Sequence, residues 1–522
     1  MHVPKGACAA ALRGVTATVS VALVAGTAAA CSGSPALSRA AASRLTGDGL
    51  ARSLRLPVAQ TRAPSPAVSV LAGAAPDVLT ARFARTLFAT SPVVVIAAER
   101  GTALPAAVKA ARAAHAPLLL APAVTPRLAA AVLGLRPRTV LVAGLPPAAL
   151  AARLPGVRVV SRMAGLPVTA APVPLRRVGV LIEEPAGHAR TDPEDTAVTV
   201  TAESAGAAVV GVRSGDPRAD PVAIRALARL RPLDVVGVGA QFEPAIRLRS
   251  RLAVAETGRQ LPGGGQLLFP GRRLVALYGH PGTPGLGVLG QQDLPASVAR
   301  ARRMAAAYRS LSKVPVIAAF EIIATVAQAS PGPDGSYSYE TPLSLLRPWV
   351  DRATAAGMYV VLDLQPGSAS LLAQAKRYQS LLQKPDVGLA LDPEWKLQPG
   401  QRPLRQIGHV NIGEVNSVVS WLASLTARYH LPQKLLVLHQ FQLSMISGEQ
   451  DLDTSNDDLS IVIHMDGQGT PADKLDTWNA VTGARPHGVY LGWKNFLVKD
   501  HPMLSPPQTM ANAPAPMMIS YQ

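Results

Sequence analysis

Cysteine is nearly absent from this 522-residue chain, which has only Cys8 and Cys31. Two such positions build no disulfide framework, and they leave no cysteine-ligated zinc site or thiol nucleophile in the body of the protein. Aromatic residues are scarce at 4%, and the first 270 residues contain no Trp or Tyr. Tyr and Trp stacking faces are therefore missing from the front half, no nucleic-acid-binding module is evident there, and no nucleic-acid partner is expected. Beyond residue 30 no uninterrupted apolar run approaches the ~20 residues needed to cross a bilayer. Acidic residues are few at the front: residues 1–270 carry 30 Lys and Arg against 14 Asp and Glu, while residues 271–522 carry 21 against 19. Parts so unlike in charge are expected to do different work.

What is present begins with a basic, then uncharged, N-terminus. Lys5 and Arg13 precede GVTATVSVALVAGTAAA, a small-residue core followed by polar CSGSP. That pattern predicts a secretory signal over residues 1–30 and an exported protein. The ending Ala28-Ala29-Ala30-Cys31-Ser32-Gly33 resembles a bacterial lipobox, with Ala28 where a larger aliphatic residue is usual. The resemblance implies lipidation of Cys31 and a membrane anchor on the outer face of the cytoplasmic membrane. Ordinary cleavage after Ala30 is the alternative. Residues 31–66, rich in Ser, Ala, Arg and Pro, read as a tether.

With 48% apolar residues and a mean hydropathy of +0.21, the chain has ample material for a core. Short β-branched or Leu-rich runs (VVVIAA, PLLLA, TVLVA, then VGVLIE, AVVGV, VVGVG) alternate with Ala-rich helical segments. This rhythm predicts two parallel βαβ modules, at 67–168 and 169–268. Within residues 82–144, VVVIAAERGTALPAAVKAARAAHAPLLLAP followed by LRPRTVLVAG resembles the type 2 cell-wall-binding repeat of Gram-positive surface proteins. It departs from that pattern at TALPAAV and at Ala143-Gly144. The likeness implies envelope attachment. The dispersed arginines suit an anionic lipid or wall polymer, although a coding excess of Arg gives the same count.

After LPGGGQLLFPGRR, seven strand candidates alternate with helices: LVALYG, VPVIAAFE, MYVVLDLQ, VGLALDPE, KLLVLHQF, LSIVIHMD and GVYLGWKNF. The spacing predicts a (β/α) TIM-like barrel over 269–505, with 506–522 as a tail; the eighth strand is not evident, which leaves an incomplete or distorted barrel open beside a complete one. The fold class is thus α/β throughout. The phrases LYGHPGTPGLGVLG, VVLDLQPG, VGLALDPEW, LPQKLLVLHQF and IHMDGQGTP resemble an actinobacterial family of exported lipoproteins with no assigned activity. The half as a whole is similar to glycoside-hydrolase-like TIM barrels.

Many of these strands end in a polar group, as at the ligand-binding mouth of a parallel barrel. Glu321, Asp363, Asp392, Glu394 and Asp466 are the candidate catalytic carboxylates. Asp392 and Glu394, two apart on a strand, would share a face about 6.6 Å apart at ~3.3 Å per residue. Paired carboxylates, one donating a proton while the other attacks or activates water, are the equipment of a glycoside hydrolase. In that scheme Glu394 or Glu321 is the acid and Asp392 or Asp363 its partner. Each residue alone reads equally as a loop cap or ion-pair member. Tyr278, His280, Gln365, His439, Gln442, Trp493 and Lys494 are candidate ligand-binding residues, with Trp395 and Gln440 beside them. Aromatic faces stack on sugars, but rings at strand ends also serve as packing.

No metal or other cofactor is expected. His280, His439, His464 and Asp466 lie near strand ends without an HxH or HExxH spacing. Gly285-Leu286-Gly287-Val288-Leu289-Gly290 matches G-x-G-x-x-G but sits in a Pro/Gly loop with no acidic residue at the required distance. DLDTSNDDLSIV lacks the Gly and the Glu of a calcium loop. The expectation is an envelope protein whose barrel acts on carbohydrate, with cell-wall or envelope glycan as partner. A non-catalytic glycan-binding or scaffold protein is the alternative.

Overall fold

A computed structural model describes residues 56–184 and 192–522. The expected signal, Cys31 and most of the tether lie outside the described residues. None of the described helices is long and apolar enough to cross a membrane.

The front part contains strands β1 (Val68–Leu71), β2 (Val93–Ala98), β3 (Leu118–Ala121), β4 (Thr139–Ala143), β5 (Arg158–Val160), β6 (Val178–Glu183), β7 (Ala208–Val212) and β8 (Asp234–Val238). They form two four-stranded parallel sheets, ordered β3-β2-β4-β5 and β1-β8-β6-β7. Central strands such as VVVIAA are buried along nearly their whole length because helices cover both faces of a parallel sheet. β1 precedes the first sheet in sequence yet pairs with β8 in the second, so the first half of the front part lends a strand to the second. They also share a core: Ile96, Leu119 and Val140 belong to the same apolar cluster as Val180, Ile182 and Val236.

The buried outer edge of strand β3, which has no strand beside it, is satisfied by helical threonines. Thr80, from helix Pro76–Leu87, accepts from Leu120 N–H at 3.1 Å, and Thr201, from helix Pro193–Ser204, accepts from Leu118 N–H at 3.0 Å. An otherwise open edge is thereby capped against further strand pairing.

The back half is a closed barrel of eight parallel strands: β9 (Arg273–Gly279), β10 (Val316–Ala327), β11 (Tyr359–Leu364), β12 (Val387–Leu391), β13 (Lys434–Gln440), β14 (Leu459–Met465), β15 (Tyr490–Asn495) and β16 (Met518–Tyr521). The eighth strand is MISY, inside the expected tail. It lies between β15 and β9, and β9 pairs on its other side with β10 to complete the ring. The barrel is therefore complete, and its limit lies at the end of the chain's last strand, not at residue 505. Four residues containing a Ser carry too little pattern to be recognised in isolation; their two neighbours make them a strand.

Side chains alternate across the barrel wall with period two. Leu274, Ala276, Ala319, Val361, Ala390, Leu435, Val437, Val462 and Met518 pack together inside, and Leu261, Leu268 and Phe269 join them from the segment preceding β9. Val275, Leu277, Leu362, Leu389, Leu438 and Ile461 face outward against the helices. Helix Ile412–Arg428 illustrates the match. Asn411 caps it by accepting from Gly413 N–H at 2.8 Å, and its buried Val415, Val418, Val419, Leu422 and Leu425 form the i, i+3, i+4 stripe of an inward face.

Front part and barrel meet at ion pairs. Arg218, buried to 3% side-chain exposure, bonds Asp216 at 2.8 Å and lies 3.5 Å from Asp457 and 3.7 Å from Asp458 in the loop before β14. Arg251 adds a 2.7 Å contact to Asp457.

Candidate active site

Alternation carries one polar side chain from every strand to the C-terminal end of the barrel interior. Residues sharing the inward parity of the apolar layers are Tyr278, Glu321, Asp363, Asp392 (just past β12), His439, His464, Lys494 and Ser520, and all are buried. The apolar layers beneath end in a wholly polar ring.

Two expectations about strand ends change. β10 continues past Glu321 to Ala327, so Glu321 lies mid-strand, paired in register with Tyr278. β12 stops at Leu391, and Glu394 stands on a short 3-10 turn, Pro393–Trp395. Proline lacks the N–H that a further ladder bond needs, so Asp392 and Glu394 are not strand neighbours on one pleat. Both still reach the site, and Glu394 is anchored through its carbonyl, which accepts from Gly408 N–H at 2.7 Å.

His439 is the hub of the buried ring. Its Nε2 lies 3.0 Å from Glu321 Oε1 and 4.0 Å from Asp363 Oδ1, and its Nδ1 is 3.2 Å from Asp466 Oδ2. The Asp466 contact has ion-pair distance without hydrogen-bond alignment, since Nδ1 has no hydrogen-bond partner among the described residues. Burial alone would lower the imidazole's pKa, but the charge of Glu321, the close contact of Asp466 and the hydrogen bond to Glu321 outweigh it and hold the pKa well above its ordinary value. His464 lies beside it with the rings tilted by 58° and centroids 5.1 Å apart, and its Nε2 is 3.2 Å from Ser520 Oγ. Burial and the His439 charge push His464 the other way, well below the usual range. Neighbouring imidazoles are thus split into a charged and a neutral one.

Tyr278 donates to Asp363 Oδ2 at 2.8 Å and accepts from Gln365 Nε2 at 3.3 Å. Lys494 Nζ lies 3.6 Å from the centre of the Tyr278 ring, a close cation–π contact. Three carboxyl groups are driven toward their protonated forms. Burial pushes Asp363 up to about 6, partly offset by His439. Burial, with the Asp466 charge next, pushes Glu394 up to about 7. Asp392 is raised by burial and then by Glu394 and Asp363. Glu321 Oε2, Asp363 Oδ1, Asp392 Oδ1 and Asp466 Oδ1 are buried with no hydrogen-bond partner among the described residues.

Above the ring opens a cavity of about 580 Å³ lined by Tyr278, Gln365, Glu394, Trp395, Gln442, Asp466, Lys494 and others, a size ordinary for ligand pockets. Of the five candidate carboxylates, Glu394 and Asp466 line this cavity, while Glu321, Asp363 and Asp392 lie wholly buried and do not. Alternation explains the candidates that turn away. Trp493 and Gln440 have outward parity: Trp493 packs on Trp478 at 5.6 Å, and Gln440 donates to Glu449 at 2.9 Å. His280 is also outside the cavity lining, held between Thr283 at 2.9 Å and Thr341 at 3.1 Å, with its pKa lowered by burial.

Phe441, Gln468, Thr477, Phe496 and Lys499 also line the cavity and were not singled out from sequence. Phe441, Gln468, Phe496 and Lys499 come from loops, where no period marks the inward side, and Thr477 from the helix Pro471–Ala484. Ser520 was missed with its strand. Among the described residues, no three His, Cys, Asp or Glu side chains are grouped so as to hold a metal ion. Comparison with known proteins finds no matching family model, no similar curated protein and no similar solved structure.

Proposed function

We propose that the barrel is a hydrolase of glycosidic bonds, with Glu394 as general acid and Asp466 as its partner carboxylate. The observation that carries this reading is their shared presence in the wall of one polar cavity, with Glu394 pushed to about 7 by burial and by Asp466. An acid that titrates near neutrality retains its proton where a leaving group needs it, and a neighbouring carboxylate serves the other face of the reaction. Asp466 Oδ2 lies 3.2 Å from His439 Nδ1, which fixes the carboxylate at the cavity floor. Trp395 offers a ring face, and Gln365, Gln442 and Lys494 offer donors for hydroxyl groups.

The chemistry consumes one water. As the bond from the anomeric carbon to the bridging oxygen breaks, that oxygen takes the Glu394 proton and leaves as a hydroxyl. The anomeric carbon gains the water's hydroxyl, and the remaining proton restores Glu394, directly or through Asp466. Glu321, Asp363 and Asp392 act beneath the cavity by setting the charge of His439 and the proton affinity of their neighbours.

Together with the N-terminal pattern, this reading makes the protein an envelope glycan hydrolase tethered through Cys31. The test is release of reducing ends from defined wall polysaccharides by the full-length protein, compared with Glu394→Gln and Asp466→Asn. Activity equal in all three refutes the assignment, whereas binding of glycan without cleavage by any of them supports a glycan-binding protein instead. For the anchor, Cys31→Ala is expected to shift the protein out of the detergent phase; unchanged partitioning refutes it.

A further inference from the structure

A second cavity, of about 340 Å³, adjoins the first and is walled by Glu394, Trp395, Pro403, Leu404, Arg405 and Ile407, among others. Glu394 and Trp395 belong to both. The turn Pro393–Trp395 is therefore a ridge with a ligand-sized hollow on either side, and the proposed proton donor stands on it.

The far wall is a built feature. The loop leading from the ridge returns to it through Gly408 N–H on Glu394 O at 2.7 Å, while Leu397 N–H on Gly367 O at 2.8 Å ties its start to the segment after β11 and Gln398 Nε2 on His409 O at 3.0 Å closes it on itself. A Cβ at Gly408 would meet Lys396 O at 2.3 Å and Glu394 O at 2.6 Å, so this close approach depends on glycine. At the tip, Leu404 is 77% exposed and adopts φ 62°, and Ile407 is 43% exposed. A Leu in the left-handed region, turned to solvent beside a catalytic cavity, is strain and apolar surface kept together at a functional edge.

We infer that the substrate is a chain of sugars spanning both hollows, with the scissile bond over Glu394 and the leaving-group portion lying along Trp395, Leu404 and Ile407. This rests on the hydrolytic reading and extends it. A single glycoside unit would fill one hollow and leave the other unused, whereas a chain engages both and is cut internally. The stacking face and apolar tip suit the CH-rich faces of sugar rings, and Arg405 and Gln406 supply donors at the rim.

The test uses the full-length protein and dimers and hexamers of β-1,4-N-acetylglucosamine, β-1,4-xylose and α-1,4-galacturonate. For the series that is cut, hexamers are expected to yield fragments of two or more units, with kcat/KM at least about tenfold above the dimer. Leu404→Asn with Ile407→Asn should remove most of that gain, since lost apolar contacts in a subsite are worth about tenfold or more. Asn tolerates the left-handed backbone better than Leu, so the variant keeps the loop conformation. Hexamer affinity for Glu394→Gln, measured by calorimetry, should fall by a similar factor when the two loop substitutions are added. Release of terminal units alone, at equal efficiency from dimer and hexamer, overturns the inference and leaves the hydrolytic reading standing. Hexamers that bind tightly through the loop without being cut overturn the hydrolytic reading and leave a two-hollow chain-binding site. Neither cleavage nor binding of any series overturns both.

Discussion

His439 Nε2 and Glu321 Oε1 are 3.0 Å apart, and both side chains are wholly inaccessible to solvent. They come from β13 and β10, separated by 118 positions in the chain, and are brought together only because both face inward at the top of the barrel. A buried pair of this kind is weak evidence for stability as a pair, yet loss of one member leaves the other charge uncompensated.

His439→Gln is accordingly expected to destabilise the fold by about 3–5 kcal/mol, the range for breaking a buried ion pair. The double variant Glu321→Gln, His439→Gln should cost less than the two single effects added together, measured by denaturant unfolding. The pH dependence has a definite sign. Because the His439 pKa is raised in the fold, its contribution is complete below the unfolded value of ~6.5 and is lost as pH rises through the higher folded value. A contribution that instead grows with pH would contradict the arrangement.

Asp392→Asn is expected to stabilise the protein at neutral pH. The carboxyl is 1% exposed, its Oδ1 has no hydrogen-bond partner among the described residues, and its pKa is raised by burial and by Glu394 and Asp363. A raised carboxyl pKa favours the fold below the unfolded value of ~3.9, and that advantage is lost as pH rises through the folded value. The amide avoids the ionisation. A melting temperature higher by about 2–4 °C at pH 7 is the expected scale for 1 kcal/mol in a domain of this size. The benefit should vanish at pH 4, and a gain unchanged by pH would assign it to another cause.

Glu394→Gln should lower kcat by about 10²–10⁴, the usual contribution of a general acid, with little change in melting temperature. In the unaltered protein, activity should fall as pH rises through about 7, where Glu394 loses its proton. An activity that climbs steadily above pH 8 would exclude this residue as the donor.

Arg218→Ala should loosen the front part from the barrel. Its guanidinium serves Asp216, Asp457 and Asp458 at once while nearly buried. Arg218→Lys is not expected to rescue, because an ammonium cannot reproduce the planar fork. Limited proteolysis between residues 240 and 272 reads the effect, and cleavage unchanged in both variants would show that the contact does not hold the parts together.

Much of the architecture is legible locally. Alternation of apolar strands with helices predicts the barrel, and polar residues near strand ends point to Tyr278, Asp363, Asp392, His439, Asp466 and Lys494, all of which reach the mouth or the ring beneath it. Parity along a strand needs no partner: once Lys494 is inward, Trp493 must be outward. Applied strictly, the same rule removes Gln440 as well.

Ring closure was beyond local reading, because β16 is a strand only through the hydrogen bonds of β9 and β15. The pairing of β1 in the second sheet is non-local in the same way. So is the division of labour among the acids. Composition and period determine that carboxylates gather at one end of a parallel barrel. Which of them stay submerged as Glu321 and Asp363 do, and which open into the cavity as Glu394 and Asp466 do, depends on strand length, a proline-broken ladder and the loops packed above. Depth below a surface is a property of assembled neighbours, and it is depth that sets the electrostatic cost of each charge.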